Sequence, residues 1–446
     1  MEAVRFDRAG SLRGALTPPP DKSISHRAAI VAAMGEGETS VRGYLDAADT
    51  RSTLAAVRAI GGEVEEGAHD GRGALDVRIG GVGLRAADSA AIDVGNAGTL
   101  LRLLPGWLAG QGQGEWTLDG DESIRRRPVD RIAEPLRLMG GEVECHDGRL
   151  PPLVVRGANL SGIEYRMPVA SAQVKSCVLL AGLMADGETT VVEPGPSRDH
   201  TERMLQAAGV GVGIDAVGTP VTIRGDLPAR RITVRRLDRI APGEVEVPAD
   251  FSSAAFFLTA ATLVEGSEVR LEGVGINPTR IGLLGILTRM GAAVEVIETA
   301  AAGMEPRATI VARSGPLGAV RVGAGEVPLA IDELPLVALL GCFAEGTTVV
   351  SGAEELRYKE SDRIATVVDG LSALGAKIEA TEDGFAVTGT GGLAGGALDS
   401  HGDHRLAMLG ALAGLASRDG VEVRGFEAAA VSYPGFGADL QRLLTS

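Results

Sequence analysis

One pattern recurs along this chain and limits its possible folds more than any other feature. A helix of small apolar residues leads into an acidic-Gly turn, a β-branched strand, a second helix stopped by Gly-Gly or Gly-Ala, and further strands. The first copy reads HRAAIVAAMGEGETSVRGYL and then ADTRSTLAAVRAIGGEVEE; the third reads AQVKSCVLLAGLMADGETTVVE and then SRDHTERMLQAAGVGVGI. The fourth (SSAAFFLTAATLVEGSEVRLEG, NPTRIGLLGILTRMGAAVEVI) and the fifth (LPLVALLGCFAEGTTVVSG, ESDRIATVVDGLSALGAKIEA) keep the same order. The second (TLLRLLPGWLAGQGQGEWTLDG, RPVDRIAEPLRLMGGEVEC) and the sixth (HRLAMLGALAGLASRDGVEVRG) are looser. First helices begin near residues 26, 98, 172, 250, 332 and 404, about 70 to 80 residues apart, so six α/β units account for nearly the whole chain.

Such a unit has a helix face and a sheet face to bury and cannot close a core alone, so units must pack on one another. Six units in 446 residues exceed the usual size of one domain, and three plus three is the predicted division. Pro18-Pro19-Pro20 and Ala241-Pro242-Gly243 read as crossings, giving domains of residues 21–241 and of 1–20 with 242–446, the strand-like AVRF joining the second. A solenoid of six stacked units fits the count as well. Composition narrows the class further. With 45% hydrophobic and 23% charged residues the chain reads as an ordinary globular protein. A formal charge of −16 and only 3% aromatic residues argue against nucleic acid as a partner, since duplex binding needs cationic surface and base stacking needs exposed rings. No apolar run reaches the roughly 18 residues of a membrane span. The start, MEAVRFDRAGSLRG, carries charge where a signal peptide needs an apolar stretch, and Cys145, Cys177 and Cys342 share no zinc-like spacing, so the expected location is the reducing cytoplasm.

Polar and basic residues gather at the helix starts. The first helix is entered through Asp21-Lys22-Ser23-Ile24-Ser25-His26-Arg27, the second through Gly95-Asn96-Ala97-Gly98-Thr99, the third through Ser171-Ala172-Gln173, the fifth through Asp332-Glu333 and the sixth through Asp403-His404-Arg405. Second helices begin at Arg125-Arg126-Arg127-Pro128, at Ser197-Arg198-Asp199-His200 and at Lys359-Glu360-Ser361-Asp362-Arg363. Any single Ser, Thr, Asn or Asp there is explained as an N-cap. Lys and Arg in a first turn oppose the helix dipole, and combined with unpaired N–H groups they make an anion site instead. Of 43 basic residues only Lys22, Lys175, Lys359 and Lys377 are lysine, and three of these lie in the clusters, which suggests that a compact ammonium is required. His26, His200 and His404 show no metal-ligand spacing, and no nucleophile elbow or P-loop motif is present. Cys177, Cys342, Trp107 and Trp116 read as core.

PDKSISHR, GNAGT, RRRP, SAQVKS, SRDHTE, LRYKESDR and GDHRLAM, in that order, resemble the family of 3-phosphoshikimate 1-carboxyvinyltransferases, or 5-enolpyruvylshikimate-3-phosphate synthases. SAQVK, RDHTE and NPTR are similar to its class II subgroup. The resemblance implies a two-domain inside-out α/β barrel of six repeats, three per domain, acting as a monomer without cofactor or metal. It implies transfer of the enolpyruvyl group of phosphoenolpyruvate to the 5-hydroxyl of shikimate 3-phosphate, with release of phosphate. By the same resemblance Lys22, Ser23, Arg27, Ser171, Ala172, Gln173, Arg198, Asp332 and Lys359 would contact shikimate 3-phosphate. Lys22, Gly98, Arg127, Gln173, Arg363 and Arg405 would contact phosphoenolpyruvate.

Asp332 would take the proton of the attacking hydroxyl, Glu360 would protonate the methylene carbon and later remove that proton, and Lys22 would serve both ligands as a point charge. Motifs from 22 to 198 and from 332 to 405 would then act on the same substrates from two domains. Two positions depart from the pattern. Val431 stands where many relatives carry a lysine, and Arg102-Leu103 where many carry Arg-Pro, which leaves open the shape of a loop expected there. Gly98 suggests sensitivity to glyphosate, an inhibitor that in this family occupies the phosphoenolpyruvate place, while the class II motifs suggest tolerance; sensitivity is the expectation. The alternatives are a UDP-N-acetylglucosamine enolpyruvyl transferase, which shares the repeats, and a non-catalytic scaffold that binds an anionic partner protein.

Overall fold

The computed structural model describes residues 3–71, 73–217 and 229–445. The chain divides into two compact units, a first of residues 20–247 with 302–305 and a second of residues 1–19, 248–301 and 306–446. At the centre of the first lie the helices Lys22–Met34, Gly98–Ala109 and Ala172–Gly182, buried on nearly every face beyond their first turns. Their sequences dictate this, because a helix that is small and apolar all round has no side to turn to water. The second helices Ala48–Ala59, Asp130–Leu138 and His200–Ala207 bury only one face.

Three four-stranded sheets cover the central helices, each with the same plan. An edge strand runs parallel to the strand that follows the central helix, and an antiparallel pair completes the sheet, as in Ala90–Asp93, Glu115–Asp119, Leu150–Arg156 and Glu142–His146. Alternation fixes which face is inward: Leu75, Val77 and Ile79 of strand Ala74–Val82 are buried while the residues between them are exposed. Helices inside and sheets outside make this an inside-out arrangement. The first repeat takes its parallel edge, Glu244–Glu246, from beyond the third, pairing Glu244, Val245 and Glu246 with Ser40, Val41 and Arg42. That pairing keeps the chain in the first unit as far as Val247.

The second unit repeats the plan with central helices Phe251–Leu263, Leu334–Phe343 and His404–Ala416. Its fourth-repeat sheet takes its parallel edge, Arg13–Leu16, from before the first repeat, paired with Glu268–Leu271. In the sixth, Ala3–Phe6 runs antiparallel to Val421–Arg424 in place of a local hairpin. The C-terminal helix Phe436–Leu444 is held by ring contacts among Phe257, Tyr433, Phe426 and Phe436, with centroids 5.5–6.3 Å apart. These are six α/β repeats, three in each unit.

Candidate active site

In the first unit the three central helix starts share one end. Arg27, on the first helix, donates from Nη2 to Ser176 Oγ of the third (3.1 Å) and from Nε to Thr201 Oγ1 (2.8 Å). Arg102, on the second, donates to Gln173 Oε1 of the third (3.2 Å), and Gln173 Nε2 donates to Thr99 Oγ1 (3.2 Å). Five of the nine residues expected here therefore stand side by side: Arg27 with Ser23, whose carbonyl accepts from Nη1, then Gln173, Gly98 and Arg127. Helix Gly98–Ala109 has no side-chain cap, and a Cβ placed on Gly98 would lie 2.8 Å from Arg127 Nη1 and 3.2 Å from Arg102 Nη1, so two guanidinium groups crowd this helix start. Arg127 is fixed by Asn96 Oδ1 (3.0 Å) and Ser123 Oγ (3.1 Å). Ser171 caps the third helix, with Ala172 its first residue. Lys22 opens the first, its Nζ 3.0 Å from Asp49 Oδ2. Arg198 lies half-buried between Ser197 and Asp199, two residues before helix His200–Ala207.

His26 is buried beneath Lys22, with Nδ1 2.6 Å from Thr53 Oγ1. Burial, with Lys22 and Arg27 nearby, pushes it well below the ordinary histidine range, so it is neutral. Lys175 does not join the cluster as its place in SAQVKS suggests. Its ammonium is wholly buried, 2.7 Å from Glu202 Oε1, 3.0 Å from Glu193 Oε2 and 3.3 Å from Ser197 O, so it fastens the Ser197–Asp199 segment. One turn into the helix, it faces the protein interior rather than the helix start. Arg102-Leu103 lies within helix Gly98–Ala109 and not in a loop, because Leu100, Leu101, Leu103 and Leu104 of that helix are buried in the core.

The second unit gathers charges of both signs. Asp332, just before helix Leu334–Phe343, has Oδ1 3.4 Å from Arg363 Nη1 and 3.5 Å from Lys359 Nζ, and Oδ2 3.8 Å from Arg405 Nη2. Arg405 also donates from Nη1 to the Asp332 carbonyl (2.9 Å). Arg363, first in helix Arg363–Ala373, donates to Glu360 Oε2 (2.6 Å) and to both oxygens of Asp403 (2.8 and 3.2 Å), the N-cap of the sixth-repeat helix. Burial opposes the charge on Arg363, but Asp403, Glu360 and Asp332 outweigh it and hold the group charged; Arg363 in turn holds Asp403 below the usual carboxylate range despite its burial. All five residues expected in this half, Asp332, Lys359, Glu360, Arg363 and Arg405, thus meet at one place. Sequence reasoning named no site residue in the fourth repeat, although its NPTR motif supplies Arg280. There Ser252 donates to Glu333 and accepts from Arg280 Nη2 (3.1 Å). The helix start Asp250-Phe251-Ser252-Ser253 has no cation to flag it, and only its equivalence to the other starts could have done so. Val431 ends the short helical segment Phe426–Val431, half-buried.

Among the described residues no group of His, Cys, Asp and Glu is placed to hold a metal ion, and no helix is long and apolar enough to cross a membrane. What two cation-lined helix ends can do is hold phosphate and carboxylate groups, and the second also has carboxylates able to move protons.

The family model of EPSP synthase (3-phosphoshikimate 1-carboxyvinyltransferase) matches residues 6–440. A 3-phosphoshikimate 1-carboxyvinyltransferase of Alkalilimnicola ehrlichii is 47% identical over 430 residues, covering 96% of this chain and 92% of that protein. One of Acidithiobacillus ferrooxidans is 48% identical over 438 residues, covering 98% and 96%. The solved EPSP synthase of Acinetobacter baumannii superposes with a TM-score of 0.83 at 41% identity, over 99% of this chain and 98% of that one. The enolpyruvyl transferase NikO of Streptomyces tendae, at 19% identity and a TM-score of 0.74, shares the fold. With the repeats, the helix-start clusters and these full-length matches in agreement, this chain belongs to the EPSP synthase family.

Proposed function

We propose that this chain transfers the enolpyruvyl group of phosphoenolpyruvate to the 5-hydroxyl of shikimate 3-phosphate and releases phosphate. The observation that carries the reading is the meeting of Asp332 and Glu360 with Lys359, Arg363 and Arg405. Carboxylates for proton transfer stand there beside cations for an anionic substrate. The 5-hydroxyl oxygen attacks C2 of phosphoenolpyruvate while Asp332 takes the hydroxyl proton and Glu360 gives a proton to C3, which becomes a methyl group. In the second step the C2–O bond to phosphate breaks, the leaving phosphate takes the proton held by Asp332, Glu360 recovers a proton from C3, and the enol ether forms. No cofactor enters this balance.

Lys22, Ser23, Arg27, Ser171, Ala172, Gln173 and Arg198 of the first unit, with Asp332 and Lys359, are assigned to shikimate 3-phosphate. Lys22, Gly98, Arg127, Gln173, Arg363 and Arg405 are assigned to phosphoenolpyruvate. The first unit thus serves mainly the phosphorylated acceptor, while the second carries the carboxylates and two phosphoenolpyruvate arginines. The arginines suit this because a planar fork meets carboxylate or phosphate through two hydrogen bonds. The enzyme is expected to act as a cytoplasmic monomer. Phosphate release that requires both substrates supports the reading; release from phosphoenolpyruvate alone, or none, overturns it. A Cβ at Gly98 would crowd Arg127; with glycine there, glyphosate is expected to inhibit in competition with phosphoenolpyruvate, and an unchanged rate at glyphosate well above the phosphoenolpyruvate concentration contradicts this.

A further inference from the structure

Asp332 and Glu333 are neighbours with opposite surroundings. The Asp332 side chain is 13% exposed among three cations, whereas that of Glu333 is 0% exposed. A carboxylate buried so fully is costly unless well paired. Glu333 is only half satisfied: Oε1 accepts from the Ser252 hydroxyl and lies 3.5 Å from Arg405 Nη1, while Oε2 has no hydrogen-bond partner among the described residues. The helix does not account for it, since the Glu333 side chain makes no capping bond to Leu334–Phe343. Burial with only one oxygen satisfied is a cost to the fold, which pairing within the fold does not by itself explain.

Its surroundings indicate a different purpose. Asp250 caps helix Phe251–Leu263 and accepts from Arg280 Nη2 (2.9 Å). Arg280 Nη2 also donates to Ser252 Oγ (3.1 Å), and Ser252 donates to Glu333. This chain of bonds ties the Glu333 carboxylate to the rigid start of the fourth-repeat helix. Arg405 Nη1 donates to the Asp332 carbonyl and is ion-paired at 3.5 Å with Glu333 Oε1, so one edge of the guanidinium is held and its other edge is left for a ligand.

We infer that Glu333, held by Ser252, is a positioning residue that orients Arg405 toward phosphoenolpyruvate. The inference rests on the function proposed above. An arginine fork contributes its two hydrogen bonds only where its plane already matches the anion, so a loosened Arg405 weakens binding of that substrate and not of the other. A purely charge-balancing carboxylate predicts the reverse, because removing it would strengthen Arg405 as an anion site. A purely structural one predicts lost stability at unchanged KM.

The test varies each substrate in turn at saturating amounts of the other, with thermal unfolding measured alongside, for wild type, Glu333→Leu, Glu333→Gln and Ser252→Ala. Glu333→Leu is expected to lose some stability, since it takes one partner from a buried pair, and in the folded enzyme to raise KM for phosphoenolpyruvate about tenfold, a loss of about 1.4 kcal/mol, with KM for shikimate 3-phosphate unchanged. Glu333→Gln keeps an acceptor oxygen and should fall between Leu and wild type. A folded Glu333→Leu enzyme with unchanged or lower KM for phosphoenolpyruvate overturns the inference. Should Glu333→Leu not fold, Ser252→Ala decides, because it removes only the hydroxyl: a rise of about threefold confined to phosphoenolpyruvate, roughly 0.6 kcal/mol, supports positioning, and no rise overturns it. A wild-type protein without turnover overturns the proposed function and this inference together; wild-type turnover with unaltered KM values in the variants overturns this inference alone.

Discussion

Arg363 separates the carboxylates of the second unit into two kinds. Its guanidinium is 1% exposed and bonded to both oxygens of Asp403, itself wholly buried, so this pair is part of the fold. Removing one partner from a buried pair costs about 3–5 kcal/mol, and Asp403→Ala should lose stability first. Asp332 and Glu360, at 13% and 22% exposure, stand at the edge of the same group, where a substrate can reach them. Asp332→Asn and Glu360→Gln keep shape but cannot accept a proton, so kcat should fall by about 10²–10⁴ with smaller changes in affinity and melting temperature. Steady-state rates and thermal unfolding of each variant check this, and a folded Glu360→Gln enzyme within about threefold of wild-type turnover would remove Glu360 from the mechanism. His26 gives a pH prediction of definite sign. Its pKa is depressed in the folded protein, so the folded state stays neutral while the unfolded chain takes up a proton below about pH 6.5. Its contribution to stability is complete above that pH and is lost as pH falls, by at most about 1.4 kcal/mol per unit. Comparing unfolding free energies at pH 8 and pH 5, His26→Gln should show a smaller acid-side loss than wild type; equal losses would refute the assignment.

At the scale of elements, the central helices depend on how closely they approach one another. Gly106 lies inside helix Gly98–Ala109, where a Cβ would fall 2.1 Å from the carbonyl oxygen of Cys177 on the neighbouring helix Ala172–Gly182. Alanine would gain about 1 kcal/mol in helix propensity, but backbone cannot yield as a side-chain tip can, and overpacking costs about 1–3 kcal/mol or more. The clash should win, making Gly106→Ala a net loss of about 1–2 kcal/mol in denaturant unfolding; a gain would mean the two helices can separate freely. Such helices were legible in the sequence because small apolar runs such as HRAAIVAAM and AQVKSCVLLAG leave no polar face. The cationic helix starts were legible because bases there run against the dipole. What escaped was whatever depends on pairing between distant segments. Nothing local in Arg13–Leu16 or Glu244–Glu246 states that each closes a sheet more than 200 residues away. Lys175 likewise shows its purpose only once Glu193 and Glu202 are folded around it. Ser252 lacked charge, so its tie to Glu333 left no trace in the pattern.

Over the whole molecule, buried apolar residues form two separate cores, one from Ile24 to Val247 and one from Leu12, Leu16 and the residues between Phe251 and Leu443. Chains with two cores need not unfold in one step. The aromatic residues make the two readable apart. Both tryptophans, Trp107 and Trp116, are buried in the first core, with indole N–H groups bonded to Leu84 O and Asp88 O, so tryptophan fluorescence reports that unit alone. The second core is rich in phenylalanine instead, with Phe257 buried against Tyr433 and Phe436. Truncating such a ring costs about 3–5 kcal/mol by lost burial and the cavity left behind. In the absence of substrates, Phe257→Ala should therefore lower the midpoint of the far-UV circular dichroism transition that belongs to the second unit while leaving the fluorescence midpoint in place. Gly106→Ala should do the opposite, moving the fluorescence midpoint. Because the two positions share no packing partner, the double variant should lose the sum of the single losses to within about 0.5 kcal/mol. If Phe257→Ala shifts the fluorescence midpoint as far as the circular dichroism one, the two cores unfold as one cooperative body and the separation argued from their packing is wrong.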